Sequence, residues 1–283
     1  MAGVSMKDIK LRIKSMESTK QITKAMEMVA SSKLRRAQAR VQNSRPYFRT
    51  LYDTLNTIAN KTENFASPYL EAREVRKTCY VVIGGDRGLA GGYNANVLKM
   101  AWERMEGTSC CVVPIGKKSL EFFQRRGSEI LTDLYAEAGD DHVGDCFSMA
   151  KMLAAGYSSG EFDEVHVIYT EFVSMLAQTP ASLKLLPLEY TPMPGDTESA
   201  CETLYEPDSE SVFEAIIPEY LGGVIYGALC EAVASEQGAR RTAMEAATSN
   251  AEDMIASLSL KYNRARQGAI TQEITEIVAG AET

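Results

Sequence analysis

The two ends of this chain constrain the fold most. Residues 4–58 are strong helix formers with almost no glycine, and from Glu219 to Ala279 there is no proline. Helices of ~55 and ~60 residues would run roughly 80 and 90 Å. In the first, a register at Ile9, Ile13, Met16, Lys20, Thr23, Glu27, Ala30, Leu34, Ala37 and Val41 is mostly apolar, a coiled-coil seam with a polar interruption. In the second, small residues recur at similar spacing: Ala228, Ala232, Ser235, Ala239, Thr242, Ala246 and Ser249. Small side chains let another helix come close. The expectation is that the ends pair as a long antiparallel coiled coil. Pro46 is expected to kink or divide the first helix. A capping box at Ser211 and Glu214 should open the second, with Pro218 bending its start.

Between the ends, short apolar runs alternate with helical stretches. TCYVVIGG (78–85), SCCVVPIG (109–116) and EVHVIYTEFV (164–173) read as buried strands; 91–106, 117–126 and 144–160 read as helices. That alternation implies an α/β domain with a largely parallel, Rossmann-like sheet. Residues 188–200, rich in Pro, Ser and Thr, read as a loop or hinge. The expected organisation is therefore 1–60 as an N-terminal coiled-coil helix, 77–200 as the α/β domain and 209–283 as a C-terminal coiled-coil helix.

Charge is unevenly spread. Residues 1–50 carry twelve Lys or Arg against Asp8, Glu17 and Glu27, a net of +9 in a chain whose total is −8. The basic run Lys33, Arg35, Arg36, Arg40 invites a polyanion. Against the acidic remainder of the chain, an acidic protein surface is the better partner. The stretch QITKAMEMVASSKLRR (21–36) sharpens the point. Ile22, Ala25, Met26, Val29 and Ala30 fall on one side at 100° per residue, while Met28 points elsewhere. Both methionines cannot face one partner helix, so a second apolar wall is required. Methionine, being flexible and polarizable, tolerates changing neighbours; Met16 is as readily ordinary core.

Other motifs carry less. GGDRGLAGGYN (84–94) follows a strand and precedes a helix, the place of a phosphate cradle. Its glycines do not have the G-x-G-x-x-G spacing, and the GKK at 116–118 lacks the rest of a P-loop. The plainer reading is a tight turn built on Gly85, Gly88, Gly91 and Gly92, fixed by Asp86 and Arg87. Asp140, Asp141, His142 and Asp145 lack an EF-hand register, and a solvated loop is preferred. Two histidines and no Gly-x-Ser-x-Gly leave no catalytic constellation, and no cofactor or metal is expected. Cys79, Cys110, Cys111, Cys146, Cys201 and Cys230 form no C-x-x-C pair and read as free thiols in a reducing compartment. No uninterrupted apolar run is long enough for a membrane span; LGGVIYGALCEAVA (221–234) is broken by Glu231. The basic first residues continue a helical pattern without a cleavage site, so a transit peptide is not expected.

Five blocks together carry a resemblance: ITKAMEMVASSKLRRAQ (22–38), DRGLAGGYN (86–94), LYEPD (204–208), SEQGARRTAMEAAT (235–248) and YNRARQGAITQEITEIVAGA (262–281). In order and over essentially the whole chain they are similar to the gamma subunits of bacterial F-type ATP synthases. Gly85-Asp86 and Ala90 depart from the Ser-Asp or Thr-Asp and Cys common there, and the extra cysteine-bearing segment of light-regulated chloroplast versions is missing. The resemblance implies a non-catalytic rotor of the central stalk. Its coiled coil turns inside a ring of alpha and beta subunits; its globular part meets the epsilon subunit and the membrane ring of c subunits. Such a complex sits on the cytoplasmic face of the plasma membrane, touching it only through the other subunits and binding no nucleic acid. Arg240, Arg266, Gln267 and Thr271 match positions that engage the ring or stabilise the shaft, with Glu236 beside Arg240; Lys20, Lys24 and Met26 match the facing part of the first helix. The rival readings are a nucleotide-binding α/β protein and a basic coiled-coil nucleic-acid adaptor.

Overall fold

A computed structural model describes residues 6–61, 67–71, 73–135, 137, 143–188 and 205–281. Asp140, Asp141, His142 and Cys201, and all of the 188–200 loop beyond Leu188, lie outside them. The chain divides into two compact units: Ser32–Ala239, and Met1–Ser31 together with Arg240–Thr283.

Within Ser32–Ala239 a four-stranded sheet has the order β2-β1-β3-β4. Strands β1 (Thr78–Ile83), β2 (Cys110–Ile115) and β3 (Glu164–Phe172) run parallel. They are nearly continuous apolar runs because both faces are covered. On one face, Cys79, Val81, Ile83, Val113 and Val167 pack on α4 (Val143–Ser159) through Met149, Leu153 and Tyr157. The same core takes in Leu55 and Ile58 of α1 (Met6–Lys61) and Phe213, Ile217 and Leu221 of α5 (Ser209–Ala281). On the other face, Tyr80, Val82, Val112 and Ile168 meet Val97, Leu98 and Ala101 of α2 (Tyr93–Met105) and Phe123 of α3 (Lys117–Arg125). The side-chain carboxylate of Asp163 accepts the backbone N–H groups of Arg76 (2.9 Å) and Lys77 (3.1 Å), pinning the entry to β1.

A fourth strand, β4 (Gln178–Leu186), is antiparallel to β3 and escaped the sequence reading. It is a half-exposed edge strand with Pro180 inside it, which is where proline is tolerated. Two other expectations are corrected. Pro46 does not divide α1: it lies at an exposed position and the helix continues through it. Pro218 lies inside α5, near its start. The cap of α5 is Asp208, not Ser211. The Asp208 carboxylate accepts the Ser211 backbone N–H at 2.7 Å and its hydroxyl at 2.9 Å, so the helix starts before the proposed box. By length and composition α5 is also apolar enough to cross a membrane. Its apolar residues Phe213, Ile217, Leu221, Ile225 and Leu229 are instead buried in the core described above.

In the other unit the two helices run antiparallel. Thr23 and Thr248 share a hydrogen bond of 2.7 Å, and Lys20 reaches Glu252 at 2.8 Å, so a step back along α1 is a step forward along α5. Of the α1 seam, Ile9, Thr23 and Ala30 are buried and Ile13, Met16, Lys20 and Glu27 half-buried. In Ser32–Ala239 the same register continues with Leu34 and Ala37 buried against Ala234. The small-residue stripe of α5 holds less well. Ala228, Ala232 and Ser235 are buried, but Thr242, Ala246 and Ser249 are exposed, and Arg240, Met244, Thr248 and Ala251 are buried instead.

Candidate functional site

The paired helices of the Met1–Ser31 and Arg240–Thr283 unit present two kinds of surface. The seam is narrow and partly polar: each threonine hydroxyl of the Thr23–Thr248 pair also lies within bonding distance of a carbonyl of its own helix, Lys20 (3.1 Å) and Met244 (2.8 Å), so the two hydroxyl protons are shared among three contacts. Outside the seam, large apolar side chains face solvent. Ile22, Met28 and Val29 are each about 60% exposed, and Leu11 and Leu260 are exposed too. From Ile270 to Gly280 every side chain of α5 is exposed. Ile270, Ile274, Ile277 and Val278 fall there at helical spacing and form one stripe. A groove of about 410 Å³, lined by Arg12, Met16, Met254, Leu258 and Lys261 among others, combines thioethers with two cations.

Charged partners tune this surface. Lys20, 43% exposed, holds the Glu252 carboxyl below its ordinary pKa. Lys24 bonds Glu27 at 3.1 Å. Met26 is half-buried, whereas Met28 is exposed, so the two methionines do face different surroundings. Arg266, Gln267 and Thr271 are exposed on α5, the Thr271 hydroxyl bonding the Gln267 carbonyl at 2.9 Å. Arg240 is 9% exposed. Of the residues singled out from the sequence, the structure thus brings Lys20 to Glu252, leaves Lys24, Arg266, Gln267 and Thr271 outward, and turns Arg240 inward. Thr248 was overlooked as a contact, although Thr23 already marked the polar break in the seam.

The glycine turn lies in the Ser32–Ala239 unit, at the carboxyl end of β1. Gly84 donates to the Ile115 carbonyl (2.8 Å) and Gly85 to Asn94 Oδ1 (2.8 Å), while Asn94 Nδ2 donates to the Arg87 carbonyl (3.2 Å). Asp86 accepts the Lys117 backbone N–H at 3.1 Å, tying the turn to α3. Arg87 and Gly88 are exposed. Gly91 has φ of 55°, a conformation open to glycine at little cost, and Gly92 precedes α2 without any side-chain cap. Glu236, 8% exposed, lies over Gly85.

Among the described residues no group of three or more His, Cys, Asp or Glu could hold a metal. Asp145 lines a cavity of about 230 Å³ beside Cys146, Met149 and Leu229. Burial pushes the Cys146 thiol up to about 12, an inert state. The five described cysteines are free thiols. His166 is half-buried in β3, bonded to Glu164 at 3.1 Å and lying against Tyr80.

The chain resembles known proteins over its whole length. The family model described as ATP synthase matches residues 5–283. The ATP synthase gamma chain of Alkaliphilus metalliredigens is 46% identical over 285 residues, covering 99% of each chain. The sodium ion specific ATP synthase gamma chain of Acetobacterium woodii is 40% identical, covering 98% of each. Among solved structures, a chain of the Euglena gracilis mitochondrial ATP synthase (OSCP/F1/c-ring) superposes with a TM-score of 0.66 at 19% identity, over 97% of this chain and 92% of that one. A chain from the Tetrahymena thermophila central stalk and c-ring gives 0.58 at 23% identity, over 80% and 99%.

Proposed function

The chain belongs to the family of ATP synthase gamma chains, and on that premise we propose that it is the rotor of the central stalk, coupling ion flow through a membrane sector to ATP synthesis or hydrolysis by rotation. The observation that carries this is the outward apolar surface of the paired helices, with Ile22, Met28 and Val29 exposed on α1 and the stripe Ile270, Ile274, Ile277 and Val278 on α5. A surface of that kind marks a contact site, and a ring of alpha and beta subunits supplies the enclosing wall.

The physics of such a contact suits turning. Hydrophobic attraction is non-directional and follows area, so an apolar sleeve holds the shaft without pinning it at one angle. Polar points then give the ring something to push: Lys20, Lys24, Arg266, Gln267 and Thr271 at the surface, and Arg240 stiffening the shaft from within. Met26 flanks the apolar contact. The basic run Lys33, Arg35 and Arg36, all exposed, meets acidic loops of the ring. A single shaft has no threefold symmetry, so each beta subunit meets a different surface and is biased to a different conformation. The linkage is reciprocal: hydrolysis turns the shaft, and a driven shaft releases ATP. The chain breaks no bonds. Torque carries no record of which ion produced it, so the reading holds for protons and sodium alike.

The α/β domain contacts the epsilon subunit and the c-subunit ring. The complex lies at the cytoplasmic face of the plasma membrane, and this chain reaches the membrane only through its partners. Copurification with alpha, beta and epsilon subunits tests the assignment; stoichiometric ATP binding by the isolated chain would overturn it. In membranes carrying Met26→Lys, the new charge sits beside an apolar wall. ATP hydrolysis should persist while ATP-driven ion pumping falls, and undiminished pumping would remove Met26 from the contact.

A further inference from the structure

In doubly wound sheets, ligands bind outside the carboxyl ends of the strands, where the strand order reverses. Here that point lies between β1 and β3, since β1 has β2 on its other side. The chain itself fills the place. Near the end of β3, Ser235 Oγ donates to the Thr170 carbonyl at 3.0 Å. Gly238 lies against the ring of Phe172, the last residue of β3. Just past β1, the Glu236 carboxyl covers Gly85. A Cβ at Gly85 would stand 3.0 Å from both Cδ and Oε1 of Glu236, and 3.3 Å from Asn94 Oδ1. Ser235, Glu236 and Gln237 are all buried, at 0, 8 and 7% exposure.

Polar side chains at this spot are a costly way to pack a helix on a sheet, because a buried polar group must be matched by a partner. Their return is direction. Aliphatic side chains would allow α5 to roll or slide on the domain, whereas a carboxylate seated on one glycine turn and a hydroxyl bonded to one carbonyl admit a single register.

We propose that Glu236 and Gly85 form a clasp, in the place a ligand takes in related sheets, that fixes the rotational register of α5 on the α/β domain so that torque passes between them without slip. Glu236 is then a positioning residue that faces the domain and makes no contact with the ring. The inference rests on the rotor reading above.

The test uses the membrane-bound complex and, separately, the purified full chain. Gly85→Ala sets a methyl group 3.0 Å from the carboxylate, which must give way by a few tenths of an ångström and so leave its seat; Glu236→Ala removes the clasp; Gly85→Ala with Glu236→Asp restores room while keeping the charge. Both single variants are expected to hydrolyse ATP at the normal rate per assembled complex but to pump fewer ions per ATP, and the double variant to recover the ratio. A residue that only stabilises the fold would lower the amount of complex and leave that ratio alone. An unchanged ratio in both single variants, or a double variant no better than Gly85→Ala, overturns the clasp. Should the wild-type chain fail to enter a rotary complex, the rotor reading falls instead, and thermal unfolding of the purified chain decides the clasp. Recovery of Tm in the double variant supports it, and losses that simply add overturn it.

Discussion

The two units of this chain are held together in different ways. Ser32–Ala239 has a sheet covered on both faces, with Val81, Phe123, Leu153, Tyr157 and Ile217 wholly enclosed. The unit of Met1–Ser31 and Arg240–Thr283 has one seam, in which buried positions include two threonines and an arginine, and it leaves more large apolar side chains outside than inside. The first encloses its large apolar side chains in a core of its own. The second has apolar surface in excess of what its own partner helix covers, which is the signature of a part finished by another molecule.

The comparison can be broken most forcefully in the core. Phe213→Ala, beneath the sheet, should cost about 3–5 kcal/mol in chemical denaturation, the range for truncating a buried phenylalanine. Ile22→Ala on the exposed flank should leave denaturation of the isolated chain unchanged. Equal losses would erase the distinction between the units. The seam comes next. Thr23→Val removes the bond across the seam while the Thr248 hydroxyl keeps the Met244 carbonyl, so it should cost about 0.5–1.5 kcal/mol, whereas Thr23→Val with Thr248→Val should recover most of it, since removing both partners of a buried bond is nearly neutral. Failure to recover would mean that the hydroxyls serve their own helices and not each other.

A pH experiment sharpens the domain side. The Asp163 carboxyl is held below its ordinary pKa, first by the Arg76 backbone N–H and then by that of Lys77. A depressed carboxyl contributes stability that is present above its unfolded pKa and is lost as pH falls through the folded one. Asp163→Asn should therefore weaken the chain at neutral pH and flatten its acid decline below about pH 4, near the reference carboxyl value; an unaltered acid limb would dismiss the strand-entry bonds as a source of stability. The smallest effect is expected for Lys20→Met. Its bond to Glu252 joins two half-exposed groups, and pairs of that kind contribute little and fade with salt. A large, salt-insensitive loss would show that this end of the shaft is more sheltered than its exposure indicates.

Much of the architecture was legible in the residues because burial and pattern coincide. Strands β1 to β3 are apolar runs wanted by both faces, and the α1 seam could be read off its heptads. Where other forces decide, the reading failed. Strand β4 is an edge, so only half of it needs to be apolar, and its proline hides it. In α5 the small-residue stripe predicts the seam only while small residues fill it. After Ala239 the seam is taken by Arg240, Met244 and Thr248, which a search for alanine and serine passes over. Asp208 outcompetes Ser211 as a cap because a carboxylate can accept both the amide and the hydroxyl of that serine. At the site, the exposure of Ile22 and Val29 was not evident, because helical spacing groups them on one side with Ala30, which the seam buries. The inward turn of Glu236 did not follow, because it depends on a glycine some 150 positions away in sequence meeting it in the folded sheet.

The bare end of α5 has a corollary. Between Ile270 and Gly280 every residue is exposed, so packing within this polypeptide constrains those side chains little. If the rotor reading holds, their tolerance to substitution should report the fit of the wall around them and not the stability of the chain.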